Sequence, residues 1–147
     1  MADLPSEWSV FMLKLIIGKK GTGKTKQLID GINEAVGTEK GHIVFINNGT
    51  RHVFDLSSKV RLIDTSEYSI RKYNTFYGFL CGVMAQDYDI SNIFVDGINK
   101  IITEDDILKN EELFKNLENI SEKHGVNIII TVSIDVSEAP EYMKKYL

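Results

Sequence analysis

The chain has 147 residues, of which 43% are hydrophobic and 26% are charged, and this composition predicts one ordinary globular domain. Its net charge of −4 argues against a nucleic-acid-binding protein. The lone cysteine, Cys81, excludes an internal disulfide and a cysteine-built zinc site, and it fits a reduced, cytoplasmic protein. No stretch has the length and apolar character of a membrane span, and residues 1–11 lack the basic start of a signal peptide.

The predicted elements begin after an N-terminal extension, residues 1–11, and the compact domain is predicted to occupy residues 12–133. The remaining residues, 134–147, are predicted to form a C-terminal tail, either a short helix or an irregular segment. Short apolar, β-branched runs predict strands at residues 11–17, 42–46, 60–63, 92–96 and 126–133, whereas residues 52–54 fit a short strand or a loop equally well.

Helical patterns fill the intervals between these strands. A stripe with a 3.6-residue period predicts a helix over residues 24–36 that stops at Gly37. Ser69 is predicted to open a second helix, and Thr103, with an acid three residues later, a third helix that ends before Gly125. Alternating strands and helices predict an α/β fold of three layers, in which a mainly parallel sheet of about five strands is flanked by helices.

Residues 18–25, Gly-Lys-Lys-Gly-Thr-Gly-Lys-Thr, match the pattern G-x-x-x-x-G-K-[ST] between a predicted strand and a predicted helix. Glycines let the main chain turn tightly, so that its amides and the positive end of the helix can surround a phosphate. The Lys24 ammonium can reach the outer phosphates, and the Thr25 hydroxyl can ligate Mg²⁺. The predicted nucleotide-binding residues are Gly18, Lys19, Lys20, Gly21, Thr22, Gly23, Lys24, Thr25 and Lys26.

A second informative stretch is the predicted strand at residues 92–96, because it ends in a carboxylate, Asp96. Paired with the glycine-rich loop, this position predicts a Walker B aspartate that accepts hydrogen bonds from Mg²⁺-bound water. Ligands of parallel sheets bind beyond the carboxyl ends of the strands. Asn47, Asp64 and Ser133 also fall at such ends, so we expect them to share the site with Asp96.

These residues resemble those of the P-loop ATPases of the RecA-like and AAA-like division. The resemblance is carried by Gly18, Gly21, Gly23, Lys24 and Thr25, together with a late strand that ends in small hydroxyl residues, Thr131 and Ser133. It implies a P-loop NTPase fold that binds ATP or ADP with Mg²⁺, with Asp96 holding the metal through water. It also implies that the late strand lies between the loop strand and the Asp96 strand, and that Ser133 or Thr131 senses the terminal phosphate.

One departure from that group concerns the residue that activates water. The group often places a glutamate directly after the Walker B aspartate, or at the end of the second strand, but this chain has Gly97 and Asn47-Asn48 there. Substitutes include the acids Asp64, Glu104, Asp105 and Asp106 and the amides Asn47, Asn48 and Asn99. The sequence therefore predicts slow ATP hydrolysis, or hydrolysis that a partner stimulates.

A further cation is needed for the charge of the transition state. Arg51 follows the turn after the second strand, and we expect it to act as an arginine finger, either within the chain or across a subunit boundary. That expectation allows self-association or an unidentified protein partner.

Three other functions are alternatives to an ATPase. A GTPase is disfavoured, because the string Asn-Lys-x-Asp is absent. A small P-loop kinase is the main enzyme alternative, since it shares the glycine-rich loop and this size, but such kinases usually carry an arginine-bearing lid and residues 103–124 contain no arginine. A nucleotide-dependent switch or assembly subunit with little hydrolysis stays open.

Overall fold

The computed structural model describes residues 12–51 and 55–147, and the predictions for residues 1–11 and 52–54 lie outside them. The strands are β1 (Leu13–Gly18), β2 (His42–Asn47), β3 (Val60–Asp64), β4 (Ile90–Val95) and β5 (Asn127–Ser133). The α-helices are α1 (Lys24–Thr38), α2 (Tyr73–Ala85), α3 (Ile98–Ile101) and α4 (Glu111–His124). Short 3-10 turns lie at Thr65–Glu67, Ile107–Lys109, Val136–Glu138 and Glu141–Tyr146.

The five strands form one sheet in the order β1-β5-β4-β2-β3, and every neighbouring pair is parallel. The predicted α/β fold with a parallel sheet flanked by helices is thus confirmed. The register aligns the carboxyl ends of β1 and β5, since Gly18 pairs with Ser133, whereas the last residue of β4, Val95, pairs with Ile130 of β5. The loop after β1 and the turn after β4 therefore leave the sheet at the same edge, on either side of β5.

Apolar side chains cover both faces of the sheet, because alternate residues of a strand point to opposite sides. On one face, Leu28, Ile32 and Ala35 of α1 pack with Ile43, Phe45 and Phe94. The other face carries the larger cluster, which includes buried residues of α2, α4 and the C-terminal turn. Among the described residues no helix combines the length and the apolar character needed to cross a membrane.

Two helix starts differ from the prediction, the first because of a contact that is distant in sequence and the second because of a local one. Helix α2 begins at Tyr73, not at Ser69, and the Tyr73 amide donates to Asp105 Oδ2 at 2.6 Å. The predicted helix start at Thr103 is also wrong: α4 begins at Glu111, after the 3-10 turn that Asp106 caps through the Leu108 amide. The acids expected to open the third helix therefore cap other elements.

Smaller corrections concern the ends of two elements. Helix α1 runs through Gly37 to Thr38, so Gly37 does not stop it. Gly125 follows α4 in the left-handed conformation, with φ 68°, as expected of a C-terminal glycine. The C-terminal residues form two 3-10 turns, and Met143 and Tyr146 of the second turn are buried in the larger apolar cluster.

Candidate functional site

The glycine-rich loop, residues 18–25, depends on three glycines for its shape. Gly21 and Gly23 have φ of 86° and 87°, a conformation that side chains with a Cβ rarely adopt. Gly18 has no space for a side chain, because a Cβ there would lie 2.6 Å from Thr22 Oγ1. The Thr22 hydroxyl and amide both donate to the Lys19 carbonyl oxygen, at 2.7 and 3.2 Å. The loop is therefore a tight turn closed by its own main chain.

Helix α1 begins directly at the end of this loop. Its first residue is Lys24, and its N-cap, Gly23, provides no side chain to bind the first amides of the helix. The amides of a helix N-terminus, together with the helix dipole, attract anions. The loop and α1 thus present unsatisfied donors at the carboxyl edge of the sheet.

Lys24 lies inside the site, with only 8% of its surface exposed. Its Nζ donates to the Lys19 carbonyl oxygen at 2.8 Å, so the ammonium folds back over the loop. Burial lowers the pKa of Lys24, the Asp96 carboxylate opposes this change, and Lys100 adds to the lowering. The lysine predicted to bind phosphate therefore lies between one acidic and one basic neighbour.

Asp96 faces the start of α1 from the end of β4. The Thr25 hydroxyl donates to Asp96 Oδ2 at 3.1 Å and to Oδ1 at 3.3 Å, across 71 residues of sequence. Asp96 is only 6% exposed. A hydroxyl and a carboxylate are oxygen donors of the kind that Mg²⁺ prefers, so this pair fits the metal that the sequence predicted. Thr25 and Asp96 are the residues that would hold it.

Thr131 of β5 fixes the Asp96 carboxylate from the opposite side. Its hydroxyl donates to Asp96 Oδ1 at 2.8 Å and accepts a hydrogen bond from the Gly97 amide at 2.7 Å. Thr131 is 1% exposed. Since each group here is buried and bonded, the carboxylate has a fixed position beside Thr25.

Replacing Thr131 with valine should lower the free energy of unfolding by about 1–3 kcal/mol, because the Gly97 amide and the Asp96 carboxylate would each lose a partner without change of volume. Urea unfolding of the wild type and of Thr131→Val measures this loss. Thr103→Val is the matched control, since Thr103 is exposed, and it should change stability by less than about 0.5 kcal/mol. Equal stability of Thr131→Val and the wild type would contradict a structural role of this hydroxyl.

The loop and the ends of β4 and β5 enclose a pocket of about 210 Å³. Ser133 lines it, and the Ser133 amide donates to Asn99 Oδ1 at 2.8 Å. Of the residues predicted from the sequence, the structure brings these to the pocket: Lys20, Gly21, Gly23, Lys24, Thr25, Lys26, Asp96, Thr131 and Ser133. Gly18, Lys19 and Thr22 shape the loop behind it.

Other residues predicted at this edge of the sheet do not line the pocket. Arg51 is exposed beyond the end of β2. Asn47 is buried, and its side-chain oxygen accepts a hydrogen bond from the Asn48 amide. Asp64 accepts hydrogen bonds from the Gly49 amide and from Ser66, and those from Ser66 contribute most to lowering the pKa of Asp64. The Asn47 and Asp64 side chains thus bind amides of the turns after β2 and β3.

The acids that could have replaced the missing glutamate also have other contacts. Glu104 lies 3.6 Å from Arg71, Asp105 caps α2, and Asp106 caps the 3-10 turn at Ile107–Lys109. Asn99 accepts from the Ser133 amide and so connects α3 to β5. None of these four side chains is among the residues that line the pocket.

Lys100 of α3 lines the pocket, although the sequence did not point to it as a site residue. The available signal was its spacing, since it follows Asp96 by one turn of a short helix. That helix was not predicted, because four residues are too few to show a 3.6-residue period.

A larger cleft of about 660 Å³ lies away from the loop, between α2 and the strands β2 and β3. At its rim, His42 and Asp87 form a hydrogen bond of 2.7 Å, and Asp89 lies close enough for the three to surround a metal ion. The bond to Asp87 raises the pKa of His42. It favours the protonated imidazole, which is a poor metal ligand. We interpret the cluster as an ion pair.

The sequence matches no protein-family model, and a search of curated proteins finds no match either. A function for this chain is therefore supported by the contacts of the residues themselves.

Proposed function

We propose that this chain is an ATP-binding protein that hydrolyses ATP slowly, or with the help of a partner, in the presence of Mg²⁺. One observation carries the proposal. The glycine-rich loop opens directly into α1, and the Thr25 hydroxyl at the start of α1 lies 3.1 Å from the buried Asp96 carboxylate at the end of β4. A loop that can surround an anion thus faces a pair of oxygen ligands for a metal.

Each residue of the pocket has a role in this proposal. The loop amides and the N-terminus of α1 bind the phosphates, and the Lys24 ammonium leaves the Lys19 carbonyl oxygen to contact the outer phosphate oxygens. Thr25 and Asp96 hold Mg²⁺, whose contribution is to neutralise charge on the phosphate oxygens. Thr131 fixes Asp96, and Ser133 is the candidate sensor of the terminal phosphate.

The order of the strands supports the resemblance to P-loop ATPases of the RecA-like and AAA-like division. Strand β5 lies between β1 and β4, as that resemblance implied. The same proposal assigns a P-loop NTPase fold to the domain. It also places the protein in the cytoplasm, where ATP is available and the Cys81 thiol stays reduced.

Hydrolysis at this site would be slow for a structural reason. The water oxygen must bond to the terminal phosphorus while the bond to the bridging oxygen breaks; ADP leaves with that electron pair, and the protons of water pass to phosphate and solvent. Across residues 12–51 and 55–147, Asp96 is the one carboxylate that lines the pocket. Because Asp96 is assigned to the metal, the pocket lacks a second acid to serve as a general base.

The same observation favours a second candidate function, a nucleotide-dependent switch. In a switch, binding of ATP changes the affinity for a partner, and turnover is incidental. Arg51 would then act, if at all, across an interface with another subunit, since it is exposed and does not line the pocket.

We expect the wild type to release phosphate from MgATP at less than about 0.1 s⁻¹, since a typical turnover of about 10 s⁻¹ loses about 10²–10⁴-fold without a general base. The Asp96→Asn substitution should remove the part of this phosphate release that depends on Mg²⁺. Asp89→Asn is the matched control, because this exposed carboxylate precedes β4 whereas Asp96 follows it. A continuous phosphate-release assay measures these rates.

Three outcomes of that assay separate the candidates. Nucleotide binding without phosphate release would favour the switch. Faster hydrolysis of GTP than of ATP would contradict the assignment of an adenine nucleotide to this site. Transfer of the phosphate to a nucleoside or nucleotide in place of water would contradict the ATPase and support the small kinase.

A further inference from the structure

Lys100 has a defined position beside the pocket, although its side chain is exposed to solvent. Gly97, with φ 70°, turns the chain out of β4 and into α3. The Lys100 amide donates to the Gly97 carbonyl oxygen at 2.8 Å, and Ile98 and Ile101 on either side are buried at 0% and 2% exposure. Since both isoleucines point into the core, the helical turn must direct Lys100 away from it.

The stem of Lys100 packs over Gly97. A Cβ built on Gly97 would lie 3.4 Å from Cδ, 3.7 Å from Cγ and 3.8 Å from Cε of Lys100. The methylene groups of Lys100 thus lie at van der Waals distance from the side-chain position of Gly97, the residue after Asp96. This packing places Lys100 among the residues that line the pocket, together with Lys24 and Ser133.

The charge of Lys100 is available to a ligand, unlike that of two other lysines near the loop. Lys19 lies 3.2 Å from Asp135, and Lys26 lies 2.9 Å from Asp30. In the described part of the chain, no acid lies within 4.0 Å of Lys100 Nζ. Lys100 also contributes to lowering the pKa of Lys24, after burial and against the effect of Asp96. The ammonium groups of Lys24 and Lys100 therefore both contribute positive charge to the same pocket.

We propose that Lys100 contacts the terminal phosphate of a bound nucleoside triphosphate and makes the pocket prefer a triphosphate to a diphosphate. The inference rests on the proposed function. It follows from the lining of the pocket, which Lys100 shares with Lys24, Asp96 and Ser133. In the proposed function the loop amides bind the first phosphates and Ser133 senses the terminal phosphate, so Lys100 is assigned to the terminal phosphate together with Ser133.

The chain thus supplies from α3 a second cation near the terminal phosphate, in addition to Lys24. The Lys100 ammonium attracts the negative charge of the terminal phosphate, and a diphosphate has no such group. Lys100 is therefore a specificity-determining residue of the nucleotide site.

The test compares the Kd values of MgATP and MgADP, measured by isothermal titration calorimetry at one salt concentration. For Lys100→Gln we expect a Kd of MgATP about tenfold higher, since a partly exposed charge-assisted contact is lost. The Kd of MgADP should change by less than about twofold. Lys100→Arg should keep most of the preference for ATP. Lys123→Gln removes the same charge from the exposed last turn of α4 and should change neither value.

The outcomes separate the inference from the proposed function. If Lys100→Gln weakens ATP and ADP equally, or neither, while Lys24→Ala abolishes binding of both, the function stands and the role of Lys100 is refuted. If the wild type binds neither nucleotide, or binds them without need of Lys24, the proposed function and the inference fail together. Far-ultraviolet circular dichroism of each variant confirms that the fold is kept.

Discussion

Replacing Lys24 with alanine should abolish the thermal stabilisation that MgATP gives to the wild-type protein. A ligand present at 100 times its Kd adds about 2.7 kcal/mol to the free energy of unfolding. At about 2–4 °C per kcal/mol, for a chain of this size, the wild-type midpoint should rise by about 5–11 °C. Lys24 is the buried cation of the pocket, and its removal leaves the outer phosphates without an ammonium partner. Differential scanning fluorimetry measures the shift.

Two controls make this result specific. Lys24→Met keeps most of the apolar stem and should also lose the shift, which excludes a simple packing defect in Lys24→Ala. Lys123→Ala removes a lysine from the opposite end of the molecule and should keep the full shift. If Lys24→Ala retains the stabilisation by MgATP, the nucleotide binds somewhere other than the glycine-rich loop.

A substitution at Met143 tests whether residues 134–147 belong to the compact domain, because it should change the free energy of unfolding. Met143 of the last 3-10 turn is 0% exposed and lies in the larger apolar cluster, and this turn contacts β1. Met143→Ala should lower the free energy of unfolding by about 2–5 kcal/mol, because it removes buried methylene groups and leaves a cavity. Urea unfolding should show a lower midpoint with an unchanged slope.

The control for this substitution comes from the same C-terminal segment. Val136 is 56% exposed, so Val136→Ala should change stability by less than about 0.5 kcal/mol. If Met143→Ala is no more destabilising than Val136→Ala, the C-terminal turns are only an appendage and not part of the core.

Much of the fold was predictable because its signals are local. The inner strands β2, β4 and β5 are short apolar runs whose residues are mostly buried, and such runs stand out from the polar segments between them. The glycine-rich loop is equally local, since the need for φ above 0° at Gly21 and Gly23 is met by residue type alone.

The parts that the sequence did not predict depend on contacts between distant residues. The start of α2 is set by Asp105, which lies 32 residues after Tyr73. The local capping pattern pairs Thr103 with Asp106 and predicts a helix start at Thr103, although Asp106 caps a 3-10 turn instead. A local pattern does not show which of several helices an acid caps, so both boundaries were misplaced.

The set of residues that line the pocket was predictable only in part. The ends of all five strands point to one edge of the sheet, but the order of the strands decides which ends are close to the loop after β1. Asp96 and Ser133 lie near it because β5 and β4 are the next strands, whereas Asn47 and Asp64 belong to the more distant β2 and β3. Lys100 was missed because its position depends on the packing of Ile98 and Ile101.

The most direct test of the account is a crystal structure grown with Mg²⁺ and a non-hydrolysable ATP analogue. We expect density for the phosphates between residues 18–25 and Asp96, with the metal beside Thr25 and the Lys24 ammonium turned from the Lys19 carbonyl oxygen toward the phosphates. A pocket without nucleotide in saturating conditions, or a nucleotide bound elsewhere on the molecule, would contradict the account.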